Sequence, residues 1–189
     1  IYIMKVFFFL ISLLILTCQM TKALGAIPQK NEVDRLIGKA IYYLDHQSND
    51  SAVLCLDSAA LHTSASNDQI NQAYIKRLKG YAYLKNNQYD SADFYLEKAI
   101  KHAKHLNNDT ILAIAYLNIG WVNHQKGWSD SALIRYKEGL MIYQNIGDTS
   151  GMAKAHTYLA SYYNHSGDFD KALKNALEAV HFYSKKNNP

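Results

Sequence analysis

Apolar and small residues recur along this chain at intervals of three and four, the spacing of one face of an α-helix. The pattern is clearest in the segment 112–143, where two such stripes are separated by a gap that contains Gly127. The spacing therefore predicts pairs of amphipathic helices joined by short turns. The eight predicted helices are about 31–46 and 49–64, 68–86 and 89–106, 109–126 and 129–145, and 149–166 and 169–186.

One short phrase, an aspartate followed two positions later by an alanine, occurs four times at a constant spacing of 40. The alanines are Ala52, Ala92, Ala132 and Ala172. Small residues also recur twelve positions before each alanine and seven positions after it. An aspartate in the first turn of a helix complements the helix dipole, and small residues allow two helices to cross closely. The chain is therefore predicted to contain four repeats of one helix pair.

Within each repeat the order of residue types resembles the tetratricopeptide repeat. The order is a small residue, an aromatic such as Tyr83 or Tyr163, the turn and aspartate phrase of 167–172, and a further alanine. The usual period of that family is shorter, about 34 residues. The longer spacing here resembles a variant found in exported bacterial sensor and regulator proteins, although Lys39 and Lys79 stand where the motif prefers an apolar residue. The resemblance implies an all-α fold, an α-solenoid of antiparallel helix pairs in a right-handed superhelix.

The repeats divide the chain into an export segment, a linker and a solenoid. We expect a signal peptide over 1–25, a linker over 26–30 and the solenoid over 31–186. Residues 187–189 end in Asn-Pro, which is a helix start signal and predicts the beginning of a fifth repeat in a longer protein. The four repeats are expected at about 31–66, 67–107, 108–147 and 148–186.

The segment 1–25 follows the order of a secretory signal peptide. Lys5 precedes an apolar run over 6–16, and small and polar residues follow up to Gly25. This run is too short for a transmembrane helix, which needs about 20 residues. We therefore expect cleavage before Ala26 and an exported, periplasmic or extracytoplasmic protein. Acylation of Cys18, which would make a lipid anchor, is the alternative.

Composition and charge give no support for a nucleic-acid-binding or catalytic protein. Once Lys5 and Lys22 are removed with the signal segment, 18 basic residues face 16 acidic ones, a net charge of +2. No phosphate-binding loop, zinc-binding helix motif, nucleophile elbow or Cys-x-x-Cys pair occurs. His102 and His105 lie one turn apart, but no carboxylate or thiol at ligand spacing completes a metal site. We expect no enzymatic activity, no cofactor and no metal.

The first helices of such a solenoid line its concave face, which is the surface that repeat proteins use for partners. Large aromatics with a few cations and amides are typical of a surface that anchors a peptide or helix. The predicted partner-binding residues are Tyr74, Arg77, Tyr81, Lys85, Asn118, Trp121, Lys154 and Tyr158. The alternative is that these aromatics fill contacts between neighbouring repeats.

Some members of the resembled family bind the terminal carboxylate of a peptide with lysine, asparagine and arginine side chains. Asn118 stands at a position similar to one of these, but the companion positions are expected to hold Ile37 and Ile41. That activity is therefore not predicted from the sequence.

Two classes of function follow. The first is a non-catalytic module that binds a protein or peptide, as the extracytoplasmic part of a larger sensor or regulator. The second is an exported or lipid-anchored scaffold for assembling envelope or secretion complexes. In either case we expect contact with a membrane only through the signal peptide, a lipid anchor or a later span.

Overall fold

The computed structural model describes residues 32–187, with side chains described as far as residue 184, and every element in this range is an α-helix. The predicted signal peptide, the linker and the Asn-Pro end of the chain lie outside these residues. The helices are α1 (32–45), α2 (Asn49–Ser66), α3 (Gln69–Lys85), α4 (Tyr89–His105), α5 (Asp109–Gln125), α6 (Ser129–Ile146), α7 (Thr149–His165) and α8 (Phe169–Asn187).

The helices stack as antiparallel pairs into an α-solenoid, as the sequence predicted. Small residues set the distance between paired helices. A Cβ atom added to Gly80 would lie 2.5 Å from Cγ of Leu96, and one added to Gly120 would lie 2.7 Å from the Tyr136 ring. Ala132, opposite Gly120, is fully buried. A larger side chain at these positions would force the helices of a pair apart.

Turns within and between the pairs depend on residues with positive φ. Gly127 and Gly167, both with φ of 79°, occupy this position in the last two pairs. Gln47 and Asn87 take the equivalent place in the first two, with φ of 60° and 59°. Glycine and asparagine tolerate the left-handed region, and Gln47 adopts it as well, so that one helix ends and the next starts within a few positions.

Helix starts alternate between two kinds of stabilisation. The first helices of the last three pairs have a side-chain cap, whose oxygen accepts a hydrogen bond from a backbone N–H in the first turn. The caps are Asp68, Asn108 and Asp148, with N···O distances of 3.1, 3.0 and 2.9 Å. The second helices α2, α4 and α6 lack such a cap but carry the aspartate of the repeated phrase in their first turn, where it meets the helix dipole.

Lys79, which departs from the repeat motif, is accommodated by an ion pair. It is only 7% exposed, and its Nζ pairs with the Asp57 carboxylate on α2. Its ammonium also lies 5.1 Å from the centre of the Tyr95 ring. The lysine therefore connects the first and second helix pairs.

Among residues 32–187, no helix is both long and apolar enough to cross a bilayer.

Candidate functional site: the concave cavity

The first helices of all four pairs line one cavity of about 540 Å³ on the concave face. We call it the concave cavity. Helices α1, α3, α5 and α7 form its floor and walls, and Tyr183 of α8 closes one side. It is lined by Ile41, Leu44, Asp45, Tyr74, Arg77, Leu78, Tyr81, Ile114, Leu117, Asn118, Lys154, Thr157, Tyr158 and Tyr183.

Arg77 places a buried positive charge in this cavity. The residue is 6% exposed, and its guanidinium carbon lies 4.8 Å from the centre of the Tyr74 ring. No carboxylate among residues 32–184 forms a salt bridge with it, and its Nε has no hydrogen-bond partner there. Burial lowers the pKa of Arg77, although the neighbouring Tyr74 opposes this shift. Arginine nevertheless stays charged in proteins, so the cavity contains a buried cation that forms no salt bridge with a described residue, and the Asp45 carboxylate lines the same cavity.

Asn118 adds a second donor without a partner to the same cavity. It is 2% exposed, and its Nδ2 has no acceptor within the described part of the chain. Buried polar groups are nearly always hydrogen-bonded, and leaving one unpaired costs about 1–3 kcal/mol. The exposed ammonium of Lys154 lines the cavity beside these two groups. The site is therefore rich in donors and suited to a negatively charged acceptor.

Aromatic rings form the rest of the binding surface. Burial raises the pKa of Tyr158, and burial also raises that of Tyr81, which Arg77 partly offsets. Both phenols therefore stay neutral at physiological pH. The Tyr158 ring stacks on Tyr136, with 5.5 Å between ring centres. The tyrosines thus present rigid, apolar surface next to the donors.

The structure brings six of the eight predicted site residues into the concave cavity. Lys85 and Trp121 instead line a neighbouring depression of about 160 Å³. The Trp121 ring lies 6.4 Å from the Tyr81 ring and 5.8 Å from the Tyr158 ring, so it also fills space between repeats. The six residues in the cavity are Tyr74, Arg77, Tyr81, Asn118, Lys154 and Tyr158.

One feature of the site was predicted only in part, and another was not predicted. The sequence placed Arg77, Asn118 and Lys154 among the partner-binding residues, but it did not indicate that Arg77 of α3 and Lys154 of α7 share one cavity with Asn118 of α5. Tyr183 enters the cavity from a second helix, whereas the repeat pattern assigned the concave face to first helices only.

His102, one of the two histidines noted in the sequence, lies beside a lysine. His102 Nδ1 lies 3.3 Å from Nζ of Lys76, and no group of three or more metal-ligating side chains occurs between residues 32 and 184. Burial and the Lys76 ammonium both lower the pKa of His102.

Comparisons with known proteins agree on the type of fold. A family model described as a tetratricopeptide repeat matches residues 78–104. BtubC (BKLC) from P. vanneervenii is 19% identical, with 83% of this chain and 65% of that chain covered and a TM-score of 0.66. Aspartyl phosphate phosphatase F from Bacillus subtilis is 14% identical, with coverage of 84% and 42% and a TM-score of 0.73. MamA is 24% identical, with coverage of 89% and 87% and a TM-score of 0.56.

This chain spans about two thirds of BtubC and less than half of the phosphatase. No curated protein matches the sequence.

Proposed function

We propose that this chain is a tetratricopeptide repeat protein that binds an extended segment of a partner protein in its concave cavity. The segment supplies a carboxylate, either its own C-terminus or an acidic side chain, to Arg77 and Asn118. The observation that carries the proposal is the pair of buried donors without partners in one cavity.

A carboxylate is the group that best satisfies these donors. It has two oxygens that accept several hydrogen bonds, and it pairs with the planar fork of a guanidinium. Hydrogen bonds to charged groups contribute about 1.5–3 kcal/mol each, more than bonds between neutral groups. Lys154 adds an attraction at the cavity edge, where its exposed ammonium can move toward the ligand.

The remainder of the ligand contacts aromatic surface. Tyr74, Tyr81 and Tyr158 border the donors, and large rings at the centre of an interface commonly provide most of its binding energy. The cavity runs across the first helices of all four pairs, which favours a chain segment over a compact small molecule.

We further propose that the protein works outside the cytoplasm as the binding part of a larger regulator. The export pattern in residues 1–25 and the resemblance to exported sensor proteins support this proposal. An envelope or secretion scaffold is the alternative. The complete reading frame separates the two: a later hydrophobic span and a signalling domain support a regulator, whereas a stop after a polar capping helix supports a scaffold. Neither proposal requires catalysis.

Selection from a displayed peptide library tests the cavity. Residues 26–189 serve as bait, and Arg77→Met and Arg35→Met serve as the test and control variants. Arg35 is exposed on α1 and outside the cavity, so the two substitutions are chemically matched. We expect selected peptides to share a carboxylate, and amidation of that group or the Arg77→Met change to weaken binding at least about tenfold. Peptides without an acidic group that bind both variants equally would rule out carboxylate recognition.

A further inference from the structure

A second cavity lies on the opposite, outer face of the solenoid, where one residue departs from its repeat column. The first helices of the other three pairs carry Tyr43, Tyr83 and Tyr163 at the same place in the repeat, but the third pair has Asn123 there. In the second pair the Tyr83 ring stacks on Tyr95, with 5.3 Å between ring centres. In the third pair the shorter side chain is accompanied by a cavity of about 600 Å³ between α4 and α6, which we call the outer cavity.

Asn123 itself is an unpartnered polar group in the outer cavity. It is 8% exposed, and its side chain makes no hydrogen bond to any residue between 32 and 184. Ile119 lies beside it and is 2% exposed, so the floor combines an apolar patch with one free amide. A buried amide in such a cavity favours a ligand with its own hydrogen-bonding groups.

Three carboxylates and one guanidinium, that of Arg135, line the outer cavity. Asp93 and Glu138 have cationic neighbours, since Asp93 pairs with Lys126 and Glu138 lies 3.0 Å from Arg135. Glu97 also lines the cavity and forms no salt bridge with any described residue. The cavity therefore has one carboxylate available to an incoming cation.

An aromatic ring completes this site. Trp128, at the start of α6, lines the outer cavity and is 55% exposed. Nζ of Lys126 lies 5.0 Å from its ring centre, within the range of a cation–π contact, so the ring already has one cationic neighbour and an arginine would be the second. Tryptophan is the strongest of the aromatic side chains in such contacts.

We infer that the outer cavity binds an arginine side chain of a partner protein. The flat guanidinium stacks on Trp128, donates hydrogen bonds to the Glu97 carboxylate and donates another to Oδ1 of Asn123. Arginine suits this arrangement better than lysine because it combines a planar stacking surface with five donors in a fixed fork. This site is separate from the concave cavity and selects the opposite charge.

The test uses tryptophan fluorescence and a small probe. The chain has two tryptophans, so the Trp121→Phe variant leaves Trp128 as the single reporter. N-acetyl-arginine amide is titrated in the millimolar range against this protein. N-acetyl-citrulline amide, which has nearly the same shape without the charge, is the matched ligand control. N-acetyl-tyrosine amide tests whether the cavity instead takes an aromatic ring.

Two variants then test whether the arginine probe binds in the outer cavity. Asn123→Tyr restores the residue of the equivalent positions and should abolish saturable binding, because the ring fills the cavity. Glu97→Gln should weaken binding at least about tenfold through loss of one charge-assisted contact. Glu178→Gln on α8 is the matched control and should leave binding unchanged. Far-UV circular dichroism checks folding, and Glu97→Gln keeps the test decisive if Asn123→Tyr unfolds.

We expect a saturable change with the arginine probe and none with citrulline. The inference is overturned if arginine produces no saturation, if arginine and citrulline bind equally, or if the tyrosine probe binds more tightly than arginine. It is also overturned if Glu97→Gln binds the arginine probe as tightly as Glu178→Gln does.

Discussion

Replacing Arg77 with methionine should stabilise the free protein while weakening its binding of acidic peptides. Arg77 is 6% exposed and has no carboxylate partner among residues 32–184, so its burial opposes folding. Methionine fills a similar volume without a charge and has no donors to satisfy. A residue retained for binding at the expense of stability shows this combination, whereas a residue retained for packing does not.

The expected size of the effect follows from two opposing contributions. Removing an unpaired buried donor saves about 1–3 kcal/mol. Losing the contact between the guanidinium and Tyr74, whose ring centre lies 4.8 Å away, costs about 1 kcal/mol. The net result is a gain of about 1 kcal/mol in the free energy of unfolding, or about 2–4 °C in Tm for a protein of this size.

Urea denaturation followed by far-UV circular dichroism measures this change. Arg35→Met is the matched control, because Arg35 is exposed and pairs only with Glu32 one turn away, and it should not shift the midpoint measurably. If Arg77→Met instead lowers the urea midpoint and leaves acidic-peptide binding intact, Arg77 is a structural residue and not a binding residue.

Three other outcomes are expected. Ala132→Leu should lower the free energy of unfolding by about 1–3 kcal/mol or more, because the larger side chain forces α5 and α6 apart. Leucine at the exposed Ser131 should have almost no effect. Equal melting temperatures for the two variants would contradict the proposed helix crossing. Burial and the nearby His165 lower the pKa of His124, so the folded state binds fewer protons than the unfolded state. The free energy of unfolding is therefore highest above the unfolded-state pKa of about 6.5. It should decrease as the pH falls below that value. The His124→Gln variant should show a flatter pH profile of Tm between about 7 and 5, and an unchanged slope would exclude this histidine as the cause. Expressed in bacteria, the protein should be processed near residue 26, and mass spectrometry distinguishes this from a diacylglycerol-modified Cys18 or an uncleaved anchor.

The helices were predictable from the sequence because the same residue types mark the helix ends in each repeat. Glycine or asparagine at the turns and aspartate in the first turn fix where each helix starts and ends, and the observed bounds lie within two residues of the predicted ones. The buried Lys79 was harder to anticipate, because its partner Asp57 lies 22 positions away on another helix pair. Periodicity describes what all four repeats have in common, whereas this ion pair joins two residues whose types are not kept in the third and fourth repeats.

The concave cavity was only partly predictable for a related reason. The sequence placed Arg77, Asn118 and Lys154 among the residues of a concave binding face, but it did not indicate that their donors share a single cavity. That grouping depends on how first helices from successive repeats lie beside one another, which sets distances between residues a full repeat apart in the chain. The contribution of Tyr183 depends on the last helix pair reaching the cavity, and no repeated residue indicates it.

Both proposed sites lie where a residue differs from its counterparts in the other repeats. The counterparts of Arg77 in the neighbouring repeats are Ile37 and Leu117, and those of Asn123 are Tyr83 and Tyr163. In each case the counterparts are apolar or aromatic residues. Arg77 instead brings hydrogen-bond donors into a cavity, and Asn123 is too short to fill the space that a tyrosine would occupy. Because crossings such as Gly120 with Ala132 fix the backbone independently, the exceptions change the surface without changing the fold. Polar departures from a repeat column are therefore the positions at which to look for binding in a solenoid, and here they indicate an acidic ligand on the concave face and a basic one on the outer face.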